Sequence, residues 1–206
     1  PVPRPRAAGL VRQAARGPAG QPRYVAGALR GDESGPVSLT APDPVVRTST
    51  AKVVNASAAG VVIDLLREVD VVLELLSTTP VPELRTGGLG VREAKRLSKL
   101  TGIDDRRLGL ILEVAAGAGL IASGEPDPEP DDGFGTYWAP TVAADRFVET
   151  TPAGRWLMLA SAWLELPCRP SLIGTRGPEG KPYAALSDSL YSTAAPLDRR
   201  LLLGLL

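Results

Sequence analysis

The longest regular pattern of apolar and polar positions begins near residue 55 and continues for about twenty residues, which is several helical turns. Its apolar residues recur every three or four positions, the spacing that places side chains on one face of an α-helix. They are Val62, Leu65, Leu66, Val69, Leu73 and Leu76. Valine favours strands, but a period of 3.6 over this length predicts one long helix, capped by Asn55 or Ser57 and ending before residues 78–82.

A glycine-rich turn at residues 87–90 precedes a second predicted helix at residues 91–101. A short strand at residues 84–86 leads into the turn, and Gly102 stops the helix. Four cations of this helix follow the spacing i, i+3, i+4, i+7, which places them on one face. These cations are Arg92, Lys95, Arg96 and Lys99, and the positions expected to turn toward a core are Val91, Ala94, Leu97 and Leu100.

A third helix and a hairpin complete this part of the chain. Asp104 or Asp105 caps the helix, which is predicted to reach about residue 118. Its inward residues are Leu108, Ile111, Leu112 and Ala115, and its outward positions are Arg106, Arg107, Gly109, Leu110, Glu113 and Gly117. Residues 120–123 and 136–139 form the two strands of the hairpin, with Trp138 anchored on the core. The order helix, short strand, helix, helix, hairpin is that of a winged helix.

The C-terminal part of the chain is predicted to be a helical extension of this domain. Thr141 caps a short helix that carries Phe147. Thr151, followed by Pro152 at the first helical position, opens another helix. That helix has an apolar stripe of Trp156, Leu159, Ala160, Trp163 and Leu164, and we interpret its tryptophans as core packing.

The predicted fold class is therefore mostly α (α+β), a winged-helix domain with a helical C-terminal extension at residues 51–165. We interpret residues 1–50 as a tail or the end of a preceding domain with a linker, because they are rich in proline and arginine and lack apolar periodicity. We interpret residues 166–206 as a loop-rich segment and the start of a truncated helix. Because the chain begins at Pro1, we expect it to be a piece of a longer protein.

The charges balance to zero over the chain but are segregated along it. Residues 1–30 hold six arginines and no acid, whereas residues 125–132 hold five acids and no base. The acidic loop lies between the two predicted hairpin strands, so it would repel a nucleic acid from the wing. DNA is therefore expected along the face of the second helix that carries Arg92 and Lys99.

Composition excludes several classes of chemistry. The chain has no histidine and one cysteine, Cys168, which excludes an internal disulfide, a Cys/His zinc site and a histidine-based triad. The nearest approach to a phosphate loop is residues 174–182, where Pro182 follows Lys181 in place of a hydroxyl residue. We expect no enzyme activity, no cofactor and no metal. Without a long apolar run or a signal-peptide pattern, no membrane contact is expected and the cytoplasm is the default location.

Three stretches resemble a family of large actinobacterial helicase-associated proteins, whose shared domain is similar to an accessory domain of XPB-type helicases. The first is residues 84–93, with three glycines at fixed places before a basic helix. The others are residues 112–116 with Gly119 and Leu120, and Trp138 with residues 140–141. The resemblance covers somewhat more than half of the chain, and it implies a DNA-associated role without identifying a reaction.

The sequence thus predicts a non-catalytic winged-helix module of a helicase-associated protein that binds DNA weakly and without sequence preference. The candidate nucleic-acid-binding residues are Arg85, Arg92, Lys95, Arg96, Lys99, Arg106 and Arg107. Base reading is not expected, since the third helix offers few paired hydrogen-bonding groups. Two alternatives remain open for the basic stripe: a solvated helix face, or a protein-interaction winged helix in which the stripe and Leu110 meet an acidic partner. The turn at residues 87–90 is either a tight connection or an anion site of backbone amides.

Overall fold

A 28-residue helix, α1 (Ala51–Thr78), is the longest element of the structure, a computed structural model that describes residues 48–127 and 135–204. The tail at residues 1–47 and most of the acidic loop lie outside the described residues. The helix is confirmed, but a start at Asn55 or Ser57 is wrong. Thr50 has an extended backbone, and its hydroxyl accepts a hydrogen bond from the Val53 amide at 3.4 Å, so it is the N-cap.

The buried face of α1 is the one that its apolar spacing predicts. Leu66, Val69, Val72, Leu73 and Leu76 are all buried there and pack in the main core. In contrast, residues 51–61 are exposed on all sides of the helix. The C-terminal half of α1 is therefore the central element on which the other helices pack.

The chain next forms the short strand β1 (Val81–Pro82), then α2 (Val91–Thr101) and α3 (Asp105–Gly117). The strand predicted at residues 84–86 is wrong, because the chain turns there: the Leu84 carbonyl accepts from the Gly87 amide at 2.8 Å. Both helices have the predicted limits to within a residue. Gly102 ends α2 at a φ of 71°, and the Asp104 carboxylate caps α3 by accepting from the amides of Arg106 and Arg107.

A small antiparallel sheet is completed by β2 (Ile121–Gly124) and β3 (Tyr137–Pro140). Strand β3 is central, in the order β1-β3-β2, and Trp138 pairs with Val81 on one side and Ser123 on the other. The predicted hairpin is confirmed with each strand one residue later than expected. Trp138 is half-buried against the core, as expected of an anchor.

Three further helices follow: α4 (Val142–Glu149), α5 (Pro152–Glu165) and α6 (Ala195–Gly204). The hydroxyls of Thr141 and Thr151 cap α4 and α5 as predicted. Two 3₁₀ turns, Pro170–Leu172 and Asp188–Leu190, lie between α5 and α6. Phe147 on α4 is fully buried. The segment after α5, residues 166–194, adds to the same core the side chains of Leu166, Cys168, Ala185 and Leu190. The described residues are mostly helical with a three-stranded antiparallel sheet, an α+β fold.

Candidate nucleic-acid interface

The outer face of α2 carries three exposed cations. Arg92, Lys95 and Lys99 form no ion pair among the described residues, and their spacing of i, i+3, i+7 places them on one side of the helix. Arg96 differs, since its Nε lies 2.7 Å from Glu93 Oε2 and its charge is compensated. The four-residue stripe of the sequence is therefore a face of three uncompensated charges beside one ion pair.

The inner face of α2 is narrower than predicted. Leu97 is fully buried and Ala94 is half-buried, but Val91 and Leu100 are 48% and 58% exposed, so their predicted inward orientation is wrong. In this 11-residue helix only Leu97 is buried, and it packs in the core to which α1 and α3 also contribute. Apolar side chains at both ends of α2 consequently lie in solvent.

The three remaining candidate cations are not equivalent. Arg85 is exposed in the turn before α2, and Arg106 is exposed in the first turn of α3. Arg107 is half-buried, and its Nε lies 2.5 Å from Glu68 Oε2 on α1. This ion pair joins α3 to α1, so the Arg107 charge serves the packing of the two helices and is largely compensated.

Part of the predicted outward face of α3 is covered in this structure, whereas Leu110 and Gly117 are exposed as predicted. Gly109 and Glu113 are buried, so their predicted outward orientation is wrong. A Cβ added to Gly109 would lie 2.8 Å from Ile173 Cδ1, and one added to Gly117 would lie 2.7 Å from Leu166 Cδ1. The segment after α5 thus lies along positions 109, 113 and 117 of α3, which share one side of the helix at intervals of four.

Glu113 fastens this segment to α3. Its Oε1 accepts from the Leu186 amide at 2.5 Å, and its Oε2 accepts from the Cys168 thiol at 3.2 Å. Burial raises the pKa of Glu113, because the charged form loses its hydration. Burial and then the adjacent carboxylate raise the pKa of Cys168 to about 12. The thiol is therefore protonated near neutral pH and acts as a hydrogen-bond donor, not as a nucleophile.

Arg199 holds the same segment from the side of α6. Its guanidinium donates to the carbonyls of Leu166 and Cys168, each at 2.5 Å, and lies 5.4 Å from the centre of the Trp163 ring. Arg199 is itself buried. Sequence reasoning did not identify Glu113 and Arg199 as buried ionisable residues. The available signal was Glu113, a lone acid in an otherwise apolar stretch of α3.

The glycine-rich turn before α2 is a packing junction. The Leu89 amide donates to the Ala185 carbonyl at 2.8 Å, and a Cβ on Gly88 would lie 2.8 Å from that same oxygen and 2.9 Å from Ser187 Cβ. Gly87 and Gly88 have φ values of 80° and 81°, which glycine adopts without strain. These contacts favour the tight connection over the anion site.

An apolar groove of about 440 Å³ opens between α1, α3, α5 and α6. Trp156 lines it and is 41% exposed, so its assignment to core packing is wrong, whereas Trp163 is half-buried against the core. The side chains that line this groove are Leu65, Val69, Leu110, Ile111, Val114, Trp156, Leu159, Ala160, Trp163, Leu164 and Leu203.

Comparison of the chain with protein-family models, curated proteins and solved structures finds no significant match. Within residues 48–127 and 135–204, no group of histidine, cysteine or carboxylate side chains is arranged to hold a metal ion. The helices of the same residues are all too short or too polar to span a membrane.

Proposed function

We propose that this chain is a non-catalytic winged-helix module of a helicase-associated protein, which binds the DNA backbone weakly and without sequence preference through α2. The observation that carries the proposal is the set of three exposed and uncompensated cations on α2, Arg92, Lys95 and Lys99. Their long, flexible side chains suit phosphate contacts, which position a protein on a duplex without reading its sequence. The proposal assigns no catalytic residue, cofactor or metal to the chain.

The topology supports the winged-helix assignment. The elements follow one another as α1, β1, α2, α3, β2 and β3, and the sheet has β3 between β1 and β2. Helices α2 and α3 are joined by the three residues 102–104, as in a helix-turn-helix, and β2 and β3 form the hairpin that follows. This agrees with the resemblance of residues 84–93 to helicase-associated proteins.

The covered face of α3 determines the mode of binding in this proposal. A helix-turn-helix reads bases by inserting its second helix into the major groove. Here residues 109 and 113 of that helix lie beneath the segment after α5, and Arg106 in the first turn is the exposed cation that α3 offers to DNA. The expected contacts are therefore those of α2 with phosphates, supplemented by Arg85 and Arg106.

The protein-interaction winged helix remains the second candidate, and the same covering of α3 favours it. Val91 is exposed at the start of the basic helix, beside Arg92. Charged side chains next to exposed apolar ones suit a protein surface better than a phosphate backbone. In this case the partner is an acidic protein that meets α2.

We expect the affinity for short duplexes to fall with salt at a slope of about −2.7 in log affinity against log salt, from about −0.9 for each of three phosphate contacts. Replacing Arg92, Lys95 and Lys99 together by glutamine should abolish binding to all duplexes alike. A control with the same loss of charge replaces Lys52, Arg146 and Lys181, which are exposed cations elsewhere on the described surface. Fluorescence anisotropy with unrelated duplexes measures both effects.

Undiminished duplex binding by the α2 variant would contradict the DNA proposal. Equal losses in the α2 variant and the control would show that only net charge matters, and would contradict it as well. If the wild-type chain binds polyglutamate but no duplex at low salt, and the α2 variant binds neither, the acidic-protein alternative is supported instead.

A further inference from the structure

A second groove, of about 990 Å³, lies between α1, α2 and α4 and is independent of the basic face. Its walls are the C-terminal half of α1, the last two residues of α2 and the outer side of α4, with Pro140 at the end of β3. No lysine or arginine lines it. The basic cations of α2 and this groove are thus separate surfaces of one domain.

The rim of this groove is acidic. Glu74, Asp145 and Glu149 line it, are exposed, and form no ion pair among the described residues. Asp70 also lines it and is paired with Arg155. Three uncompensated carboxylates from two different helices therefore face one space, and a cation that enters it meets attraction from both sides.

The hydroxyl groups of the groove add acceptors and no donors. Ser77 donates its hydroxyl proton to the Glu74 carbonyl at 2.8 Å, and Thr78 donates to the Leu75 carbonyl at 3.1 Å. Thr101 donates to the Leu97 carbonyl at 2.8 Å. Because each of these protons is used within its own helix, the hydroxyl oxygens and the carboxylates leave only acceptor sites for a ligand. A ligand of complementary chemistry brings N–H donors with positive charge.

The groove also exposes large apolar side chains, one from each of its three helices. Val71, Leu100 and Val148 are 46%, 58% and 55% exposed. A free metal ion or a polyamine leaves such side chains in water, and a nucleic acid is repelled by the carboxylates. Apolar surface between acceptors instead matches a peptide that presents both apolar and basic side chains.

We propose that this acidic groove docks a basic amphipathic helix of a partner protein, whose lysine or arginine side chains meet Glu74, Asp145 and Glu149 while its apolar face covers Val71, Leu100 and Val148. Grooves between helices commonly take a helix in this way, with anchors at i, i+3, i+4 and i+7. The groove gives the module a protein-binding surface in addition to α2. Since it uses none of the cations of α2, it stands whether or not DNA binds there.

The test uses the full chain and a fluorescein-labelled amphipathic peptide of leucine and lysine. Replacing Glu74 and Glu149 by glutamine and Asp145 by asparagine should weaken binding about tenfold, the combined effect of three exposed ion pairs. A control variant, Glu125→Gln with Asp127→Asn and Asp188→Asn, removes the same charge from exposed acids outside the groove and should bind as the wild type does.

A second set of variants tests the apolar contact. Changing Val71, Leu100 and Val148 to serine should weaken binding but leave its salt dependence unchanged, because no ion pair is removed. The control changes Val53, Val142 and Leu157, which are 55%, 71% and 66% exposed and lie outside the groove. All the altered residues are exposed, and circular dichroism melts check that each variant is folded.

Several outcomes would overturn the proposal. They are an absence of peptide binding at low salt, equal losses in the groove variants and their controls, and equal binding of a peptide with serine in place of leucine. If sedimentation shows self-association of the chain that the acidic-groove variant abolishes, the occupant is a second copy and not a partner protein.

Discussion

Replacing Gly88 by alanine is expected to destabilise the chain by about 2 to 5 kcal/mol, whereas the same change at Gly87 costs about 1 to 2 kcal/mol. Both residues lie in the turn before α2 with φ near 80°, so both changes carry the same left-handed backbone penalty. They differ in their surroundings. A Cβ on Gly87 has no atom within 4 Å, while one on Gly88 meets the Ala185 carbonyl oxygen and Ser187.

The additional cost at Gly88 arises because its neighbours are held in place. Ala185 is buried, and its carbonyl already accepts from the Leu89 amide at 2.8 Å. The adjacent Leu186 has a φ of 60° and is fixed by its hydrogen bond to Glu113. A methyl group on Gly88 therefore either breaks the Leu89 hydrogen bond or displaces the segment that covers α3.

Urea unfolding of the wild-type chain and the two variants measures the difference. The Gly87 variant is the matched control, since it isolates the backbone penalty from the steric one. Equal losses of unfolding free energy in the two variants would contradict the packing of this turn against residues 185–187. A change at Gly88 smaller than that at Gly87 would contradict it more strongly.

Those features of the fold that depend on neighbours in sequence were predictable. The period of apolar residues identifies the buried face of α1, and Gly102, Asp104, Thr141 and Thr151 mark helix ends because each satisfies backbone groups only a few residues away. The start of α1 was misjudged for a related reason. Several polar residues precede it, and the spacing of apolar residues does not distinguish Thr50 from Asn55.

The covered face of α3 was not predictable from local pattern. Gly109, Glu113 and Gly117 form a small and polar side of an amphipathic helix, which normally faces solvent. It is partly covered because Leu166 and Ile173, about 50 to 65 residues away in sequence, pack on Gly117 and Gly109, while Glu113 receives two hydrogen bonds. The two glycines allow another segment of the chain to approach α3 closely. The residues of that segment lie far from α3 in sequence, so the local pattern around residue 109 does not reveal them.

In the candidate site, too, contacts within one helix were predictable from the sequence, whereas contacts between helices were not. The exposure of Arg92, Lys95 and Lys99 follows from helical spacing, and the Arg96–Glu93 pair follows from its i,i+3 spacing. The pairing of Arg107 with Glu68 joins residues 39 positions apart and depends on how α1 packs against α3. The same holds for the acidic groove, whose carboxylates come from α1 and α4.

The stability of the chain relative to its Glu113→Gln variant is expected to fall as the pH rises from the ordinary pKa of a glutamate, 4.5, through the raised pKa of Glu113. Burial raises the pKa of Glu113 above its ordinary value of 4.5. Between the unfolded and folded pKa values, the folded chain holds a proton that the unfolded chain has released. The unfolding free energy of the wild type then decreases with pH, by at most about 1.4 kcal/mol per unit for one proton.

The glutamine variant provides the reference because it keeps an acceptor for the Leu186 amide and has no proton to lose. The stabilisation by protonated Glu113 is fully present below pH 4.5 and is lost once the pH exceeds the raised pKa. The two chains differ only at residue 113, so contributions common to both cancel in the difference. Urea unfolding at several pH values measures it, with Glu125→Gln as a control for the removal of one exposed carboxylate. The prediction is contradicted if the wild-type advantage over Glu113→Gln does not change with pH, or if it grows as the pH rises. Either result would show that the Glu113 carboxyl is ionised in the folded chain at least as readily as in water. The segment covering α3 would then be held by the remaining contacts of Leu166, Ile173 and Arg199.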